Sequence, residues 1–399
     1  MTATADESAA LAAAALPKLT LGKWIANTAL RWVPPFLPTL EKAFGASTTQ
    51  LTTILGASEI AGLSTVAVGR HLDRGRERIV LLAGLVAVIV ASLVALVGTT
   101  FTFAIGSVLV IMGVANITVA GHSFISSRVP YERRARTIGV YETSWALALL
   151  IGAPIIAVLI SIFGWRGPYV TIAVVAAIVT IVVARSAAIT RPPRPDAGAD
   201  EAPSIVPPPG KISAVTGRAW LTIAGAAFVA MAGLSVFAIS GSWLDDAFGV
   251  PTGGLGAVAM GFGAVELLSS LSSAAFADRI GKLRGTVSAL MLLIVGAVVM
   301  LLADSTLWIG VVGILLFLCG FEFAIVTSFS LVSEAMPSAR GTTLALSNGI
   351  GTVARGTATI VGGWLYGIHG VSGTLTLSIG AATLSAIAFT ASRSRFSRP

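Results

Sequence analysis

Charged residues are scarce in this chain, and six of them stand inside long apolar stretches: Arg31, Glu59, Glu142, Glu266, Glu322 and Arg355. A carboxyl removed from water resists ionisation, whereas a neighbouring guanidinium favours it. Together they can bring its protonation into a range where a proton is exchanged as the surroundings change. Glu59, Glu266 and Glu322 lie deep in their stretches and are the candidate proton-coupling groups. Arg31 and Arg355, with Asn116, His122 and Asn348, are candidates to line a substrate cavity. His122, in "AGHSF", titrates near neutral pH, although most single histidines are only hydrogen-bonded to their neighbours. The plainer alternative for the charges is a set of permanent ion pairs, Arg31 with Glu59 and Arg355 with Glu322, holding helices together. The asparagines could likewise bond between helices.

Several other chemistries have no residues to perform them. The chain has no G-x-x-x-x-G-K-[ST] loop for a nucleotide, no metal-ligand spacing and no nucleophile triad. An ATP-driven pump is thereby excluded and no cofactor is expected. The single Cys319 cannot form an internal disulfide.

The elements that must position these groups follow from composition. The 399 residues are 55% hydrophobic and 11% charged, where soluble domains are about 25% charged. Runs near 20 apolar residues recur, each long enough to cross a hydrocarbon core of ~30 Å as a helix. Twelve spans fit: 19–40, 48–69, 79–98, 101–127, 137–163 and 167–187, then 218–241, 252–277, 285–303, 306–335, 340–366 and 371–391. Between the two sets, residues 191–211 hold seven of the 17 prolines, which predicts an extended linker. The expected organisation is a six-helix bundle over 1–190, a Pro-rich linker over 191–217 and a second bundle over 218–399. Pro34, Pro35 and Pro38 in the first span predict a bend. "GGWLYG" (362–367) has the G-x-x-x-G spacing of close helix contacts.

Lysine and arginine set the expected orientation. With both termini in the cytoplasm, only Lys42 and Arg166 fall in outer loops, and the outer loops instead carry Glu41, Asp245, Asp246 and Asp304. The net charge of +8 is then topological, and no nucleic-acid partner is expected. The start, "MTATADESAALAAAALPKLT", has Asp6 and Glu7 where a secretory signal has basic residues.

The two halves also echo one another. "AVGRHLDRGRERIV" (67–80) follows the second span and "AFADRIGKLRG" (275–285) the eighth. "IMGVANITVAGHSFISSRVPYERR" (111–134) aligns with "LCGFEFAIVTSFSLVSEAMPSARG" (318–341), Gly113 on Gly320 and Pro130 on Pro337. Six spans repeated in parallel are a transporter signature.

On these residues the chain resembles the major facilitator superfamily over essentially its whole length. That family's loop between helices 2 and 3 reads G-x-x-x-D-R-x-G-R-R. Gly69, Asp73 and Arg74 match it, and Gly75, one residue early, is followed by Arg76 and Arg78. The second copy keeps Asp278, Arg279, Gly281 and Lys282, with Ala274 in place of the glycine. The resemblance implies the all-α major facilitator fold of twelve helices. It also implies that Asp73 meets the start of helix 11 and Asp278 the start of helix 5, a cytoplasmic gate stabilised by helix dipoles. Arginines around these loops, Arg133 and Arg340 among them, would form breakable ion pairs. Glu142, about a turn and a half inside the fifth span, could belong to the same gate. Simple topogenic charge is the alternative reading of both loops. Where many drug/proton antiporters of the family carry an arginine four residues before the helix 4 glycine, this chain has Leu109.

The expected function is secondary active transport by alternating access, most of all proton-coupled efflux of a small organic molecule, drug or sugar-like. Residues 130–170 resemble bacterial sugar-efflux and drug-efflux permeases of the arabinose-efflux type. The alternative is uptake or facilitated passage of an organic anion bound by Arg31 and Arg355. An embedded enzyme or a receptor would need a cluster of catalytic residues or a folded soluble domain, and neither is visible. The expected setting is a monomer in the inner (plasma) membrane, with a small-molecule substrate, protons as the coupling ion and the lipid bilayer as partners.

Overall fold

The computed structural model describes residues 5–190, 215–304, 306–336 and 340–394, so most of the expected linker lies outside the described residues. Helices dominate what is described: α1 Ala5–Arg31, α2 Leu37–Phe44, α3 Thr48–Ser58, α4 Ser64–Leu72, α5 Glu77–Ala95, α6 Thr100–Arg128, α7 Tyr131–Leu150, α8 Gly152–Phe163, α9 Arg166–Ala184, the short α10 Ala187–Thr190, α11 Gly217–Phe248, α12 Thr252–Ile280, α13 Lys282–Leu301, α14 Leu307–Glu334 and α15 Arg340–Ser394. Large apolar side chains such as Phe101, Ile162, Phe163, Leu302 and Trp308 are exposed, as on a surface that faces lipid rather than water. Among the described residues, ten helical segments are long and apolar enough to span a membrane. The last of them turns at Gly370 (φ 63°, ψ −158°) and so holds two helices. The broken α1–α2 segment stands where the first of the expected spans was placed.

Three expected spans are interrupted, each for a local reason. Pro34 and Pro35 lack amide hydrogens, so α1 ends at Arg31 and the chain resumes as α2 at Leu37, with Pro38 in its first turn. The second span passes from α3 through a 3-10 stretch, Glu59–Leu63, into α4, a tightening that often marks a hinge. The fifth breaks at Ile151, ahead of Pro154, between α7 and α8.

By contacts the chain divides into two compact units, Met1–Val33 with Ala61–Ile205 and Pro34–Ile60 with Val206–Pro399. Residues 34–60 thus pack with the second set of helices, and both of these boundaries fall at the first two interruptions. In the first unit α5 and α6 touch backbone to backbone, where a Cβ on Gly113 would stand 2.7 Å from the Gly84 carbonyl oxygen. In the second, Gly320 of α14 meets Ala289 and Leu293 of α13 in the same way. The aligned pair Gly113 and Gly320 therefore does the same packing work in each repeat.

Candidate functional site

The first unit gathers its polar side chains where α1, α6 and α7 meet. Lys23, Asn27 and Arg31 recur every four residues and so share one face of α1. Lys23 Nζ lies 2.5 Å from Glu142 Oε1 of α7. His122 Nε2 of α6 lies 2.6 Å from the same oxygen. The Lys23 side chain is 2% exposed, whereas those of His122 and Glu142 are 35% and 42% exposed. A dry ammonium and an accessible imidazole thus share one carboxylate oxygen. Tyr141 is buried beneath them; its hydroxyl donates to the Ile117 carbonyl at 2.8 Å, and its ring centroid lies 4.5 Å from Lys23 Nζ. That ring fits against α6 only because residue 121 is glycine: a Cβ there would collide with it.

Farther along the same face, Asn27 Nδ2 donates to Ser144 Oγ at 3.3 Å. Buried Arg31 donates to the Trp145 carbonyl at 2.8 Å and stacks 4.2 Å from the Trp145 ring centroid. Asn116 Oδ1 accepts from Ser64 at 3.4 Å. An ionised carboxylate only accepts hydrogen bonds, so Lys23 donates to Glu142, and His122 does so when its Nε2 carries the hydrogen.

The second unit holds the remaining intramembrane charges. Arg355 Nε donates to Glu59 Oε2 at 3.0 Å, and its NH2 donates to Thr352 Oγ1 at 3.1 Å. Arg355 therefore pairs with Glu59, the residue that opens the 3-10 stretch. The pair is possible because α3 and α15 approach closely: a Cβ on Gly56 would lie 2.5 Å from the Gly356 carbonyl oxygen. "GGWLYG" continues that seam, with Gly363 against Thr52, Gly367 against Thr49, and Thr49 Oγ1 donating to the Gly363 carbonyl at 3.1 Å. Glu322 is buried and accepts from Ser270 Oγ at 3.4 Å, and Glu266 is also buried. Asn348 is exposed on α15.

At the end of this unit formed by α2 and the end of α11, Ser242 Oγ donates to Glu41 Oε1 at 2.7 Å, Lys42 donates to Asp245 at 2.8 Å, and Tyr366 donates to Asp246 at 2.6 Å. Burial raises the Glu41 carboxyl above its ordinary value despite the Ser242 and Thr48 hydrogen bonds, with Asp246 and Asp245 adding to the rise. Lys42 is raised mainly by its hydrogen bond to Asp245.

The expected gate residues sit at helix ends. Asp73 closes α4, its amide donating to the Gly69 carbonyl at 3.0 Å, and Gly75 turns the chain with φ 68°. Asp73, Arg74, Arg76, Arg133 and Arg279 are exposed. Lys282 pairs with Glu334 beside Gly281 (φ 88°). The side chains of Asp278 and Arg340 lie outside the described residues. Next to the first loop stands a pair not anticipated from the sequence: Glu77, buried, 3.4 Å from Arg128 of α6.

Comparison with known proteins converges on one family. The model of the Major Facilitator Superfamily matches residues 19–359. An uncharacterized MFS-type transporter of Bacillus subtilis strain 168, YceJ, is 24% identical over 83% of this chain and 84% of its own length. A second one from that organism, YwfA, is 29% identical over 37% of this chain and 36% of its own length. Among solved structures, a bacterial homolog to the human lysosomal transporter Spinster, inward-facing and occupied, superposes with a TM-score of 0.76 over 96% of this chain and 97% of that one, at 16% identity. A D-xylose-proton symporter does so with a TM-score of 0.73 over 93% and 96%, at 14% identity.

Proposed function

Because this multi-pass membrane protein belongs to the Major Facilitator Superfamily and is a transporter, we propose that it exports a small organic molecule in exchange for protons, with Glu142 carrying the exchanged proton. The observation that supports this is the Lys23–Glu142–His122 cluster. An accessible carboxylate and imidazole reach water, while the buried ammonium holds the carboxylate in place. Protonation of Glu142 releases Lys23 and His122 from it. Either base can then shed its own proton, so a proton taken up on one side of the membrane can be discharged on the other without a bare buried charge. The likeness of residues 130–170 to efflux permeases favours export of a drug or sugar-like molecule. One structural neighbour is a D-xylose-proton symporter, so this fold serves proton coupling in that protein. Arg31 and Arg355 already engage Trp145 and Glu59, which weighs against the reading in which they bind an organic anion. The setting we propose is the inner membrane with both termini in the cytoplasm.

The test is flux into proteoliposomes with and without an imposed pH gradient, against a panel of drugs, sugars and anions. A pH-sensitive dye reports the protons. The wild type should move protons only when a substrate moves, and Glu142→Gln should bind that substrate yet no longer respond to the gradient. If Glu142→Gln stays pH-driven while Glu59→Gln, Glu266→Gln or Glu322→Gln does not, the proton is carried in the second unit instead.

A further inference from the structure

Four cations meet in a cavity of about 440 Å³ at one end of the second unit. Arg218 stands in the first turn of α11, Lys282 and Arg284 in the first turn of α13, and Arg393 in the last turn of α15. The lining also includes Glu334 at the end of α14, which pairs with Lys282. Among the described residues, four positive groups thus line the cavity with one carboxylate. Arg284 and Arg393 are exposed, so the positive side is open to a ligand. Gly281, the N-cap of α13, lies in the same wall and places no side chain on the first-turn amides, which adds partial positive charge to the excess. Three of the four cations are arginines, whose planar forks bind phosphate oxygens in pairs. Ile280, half exposed, and Leu331 give the cavity an apolar wall beside the charges. The volume falls within the ~300–1,000 Å³ of small-ligand pockets.

We infer that this cavity binds a phosphate-bearing anion, the chemistry that an anionic phospholipid headgroup and free phosphate share. Helix ends mark the level of the membrane edge, where lipid phosphates lie, and basic pockets between spanning helices are suited to such headgroups. The apolar wall suits the glycerol and first carbons of a lipid better than it suits a fully hydrated ion. The site is formed within the second unit and is independent of the Lys23–Glu142–His122 cluster.

The experiment is native mass spectrometry of the full chain titrated with cardiolipin, with phosphatidylcholine and with inorganic phosphate. Cardiolipin should bind the wild type more tightly than phosphatidylcholine, and the double variant Arg284→Gln/Arg393→Gln should weaken it at least about tenfold, since each cation at a membrane edge contributes about fivefold. Arg185→Gln, which removes an exposed cation at the end of α9, should leave binding unchanged. Glu334→Gln should tighten it, a gain that a misfolded protein would not produce. Binding of inorganic phosphate with the same variant sensitivity, in place of cardiolipin, assigns the site to the free anion. If neither anion responds to the double variant, or if Glu334→Gln fails to tighten the one that binds, the inference is overturned.

Discussion

Removing the Glu142 carboxylate and removing the Lys23 ammonium should have unequal effects on stability, and the inequality measures the pair. Glu142→Gln leaves an ammonium whose side chain is only 2% exposed facing a neutral amide. Breaking a fully buried pair from one side costs about 3–5 kcal/mol. The Glu142 side chain is 42% exposed, so water screens part of that interaction and the expected loss falls to about 2 kcal/mol. Lys23→Met instead takes the charge out of the driest position and fills it with an apolar chain of similar length. Glu142 keeps His122 at 2.6 Å, and the ammonium's attraction to the face of the Tyr141 ring, which this variant removes, is worth about 1 kcal/mol. The double variant strands no charge. It should therefore be about as stable as Lys23→Met alone, giving a coupling energy of about 2 kcal/mol, the cost of Glu142→Gln itself. Equilibrium unfolding of the four proteins in mixed micelles at neutral pH measures this. Additivity within about 0.5 kcal/mol would refute the pair.

Three further outcomes can be checked separately. Tyr141→Phe removes only the hydroxyl bonded to the Ile117 carbonyl at 2.8 Å and should cost about 1 kcal/mol, whereas Gly121→Val drives a side chain into the ring and should sharply lower the yield of folded protein in size-exclusion profiles. Glu41, raised by burial, binds its proton more tightly in the folded chain than in the unfolded one; stability should rise as pH falls through that raised value and level off below the ordinary 4.5, and Glu41→Gln should flatten that part of the pH–stability curve. Asp200→Cys should react with an impermeant thiol reagent in inside-out vesicles only; labelling in intact cells would reverse the proposed orientation.

The fold was legible because it rests on hydropathy and on the repeat, both of which are linear signals. The positions of the charges within apolar stretches were legible for the same reason. Their partners were not, because a partner depends on where helices break and how far they are rotated. The fifth span was expected to begin at 137, which made Glu142 shallow; α7 begins at Tyr131, which puts Glu142 about three turns in. Lys23 stands close to the start of the expected first span and reads as an edge charge. The recurrence Lys23, Asn27, Arg31 on one helical face was the available clue. Glu77 reads as part of a solvated hairpin, yet it is buried against Arg128. Arg355 was weighed against Glu322, but the approach of Gly56 to Gly356 brings it to Glu59.

This difference in partners bears on which carboxyl can serve as a proton carrier. A guanidinium does not give up its proton in proteins, so the Glu59–Arg355 pair is better suited to holding α3 against α15. Glu142 faces two groups that can each release a proton, Lys23 from a dry site and His122 from a wetter one. Burial disfavours the charged form of a lysine and works in the same direction as neutralisation of its partner. A proton that enters on Glu142 can therefore be matched by one that leaves Lys23, which passes a proton through the cluster without leaving an isolated charge in the membrane interior. An arginine at position 23 would remove that freedom while preserving the pair. Lys23→Arg should accordingly retain folding and substrate binding but lose part of the response to an imposed pH gradient, and a variant that transports with undiminished pH dependence would show that Lys23 only anchors the carboxylate.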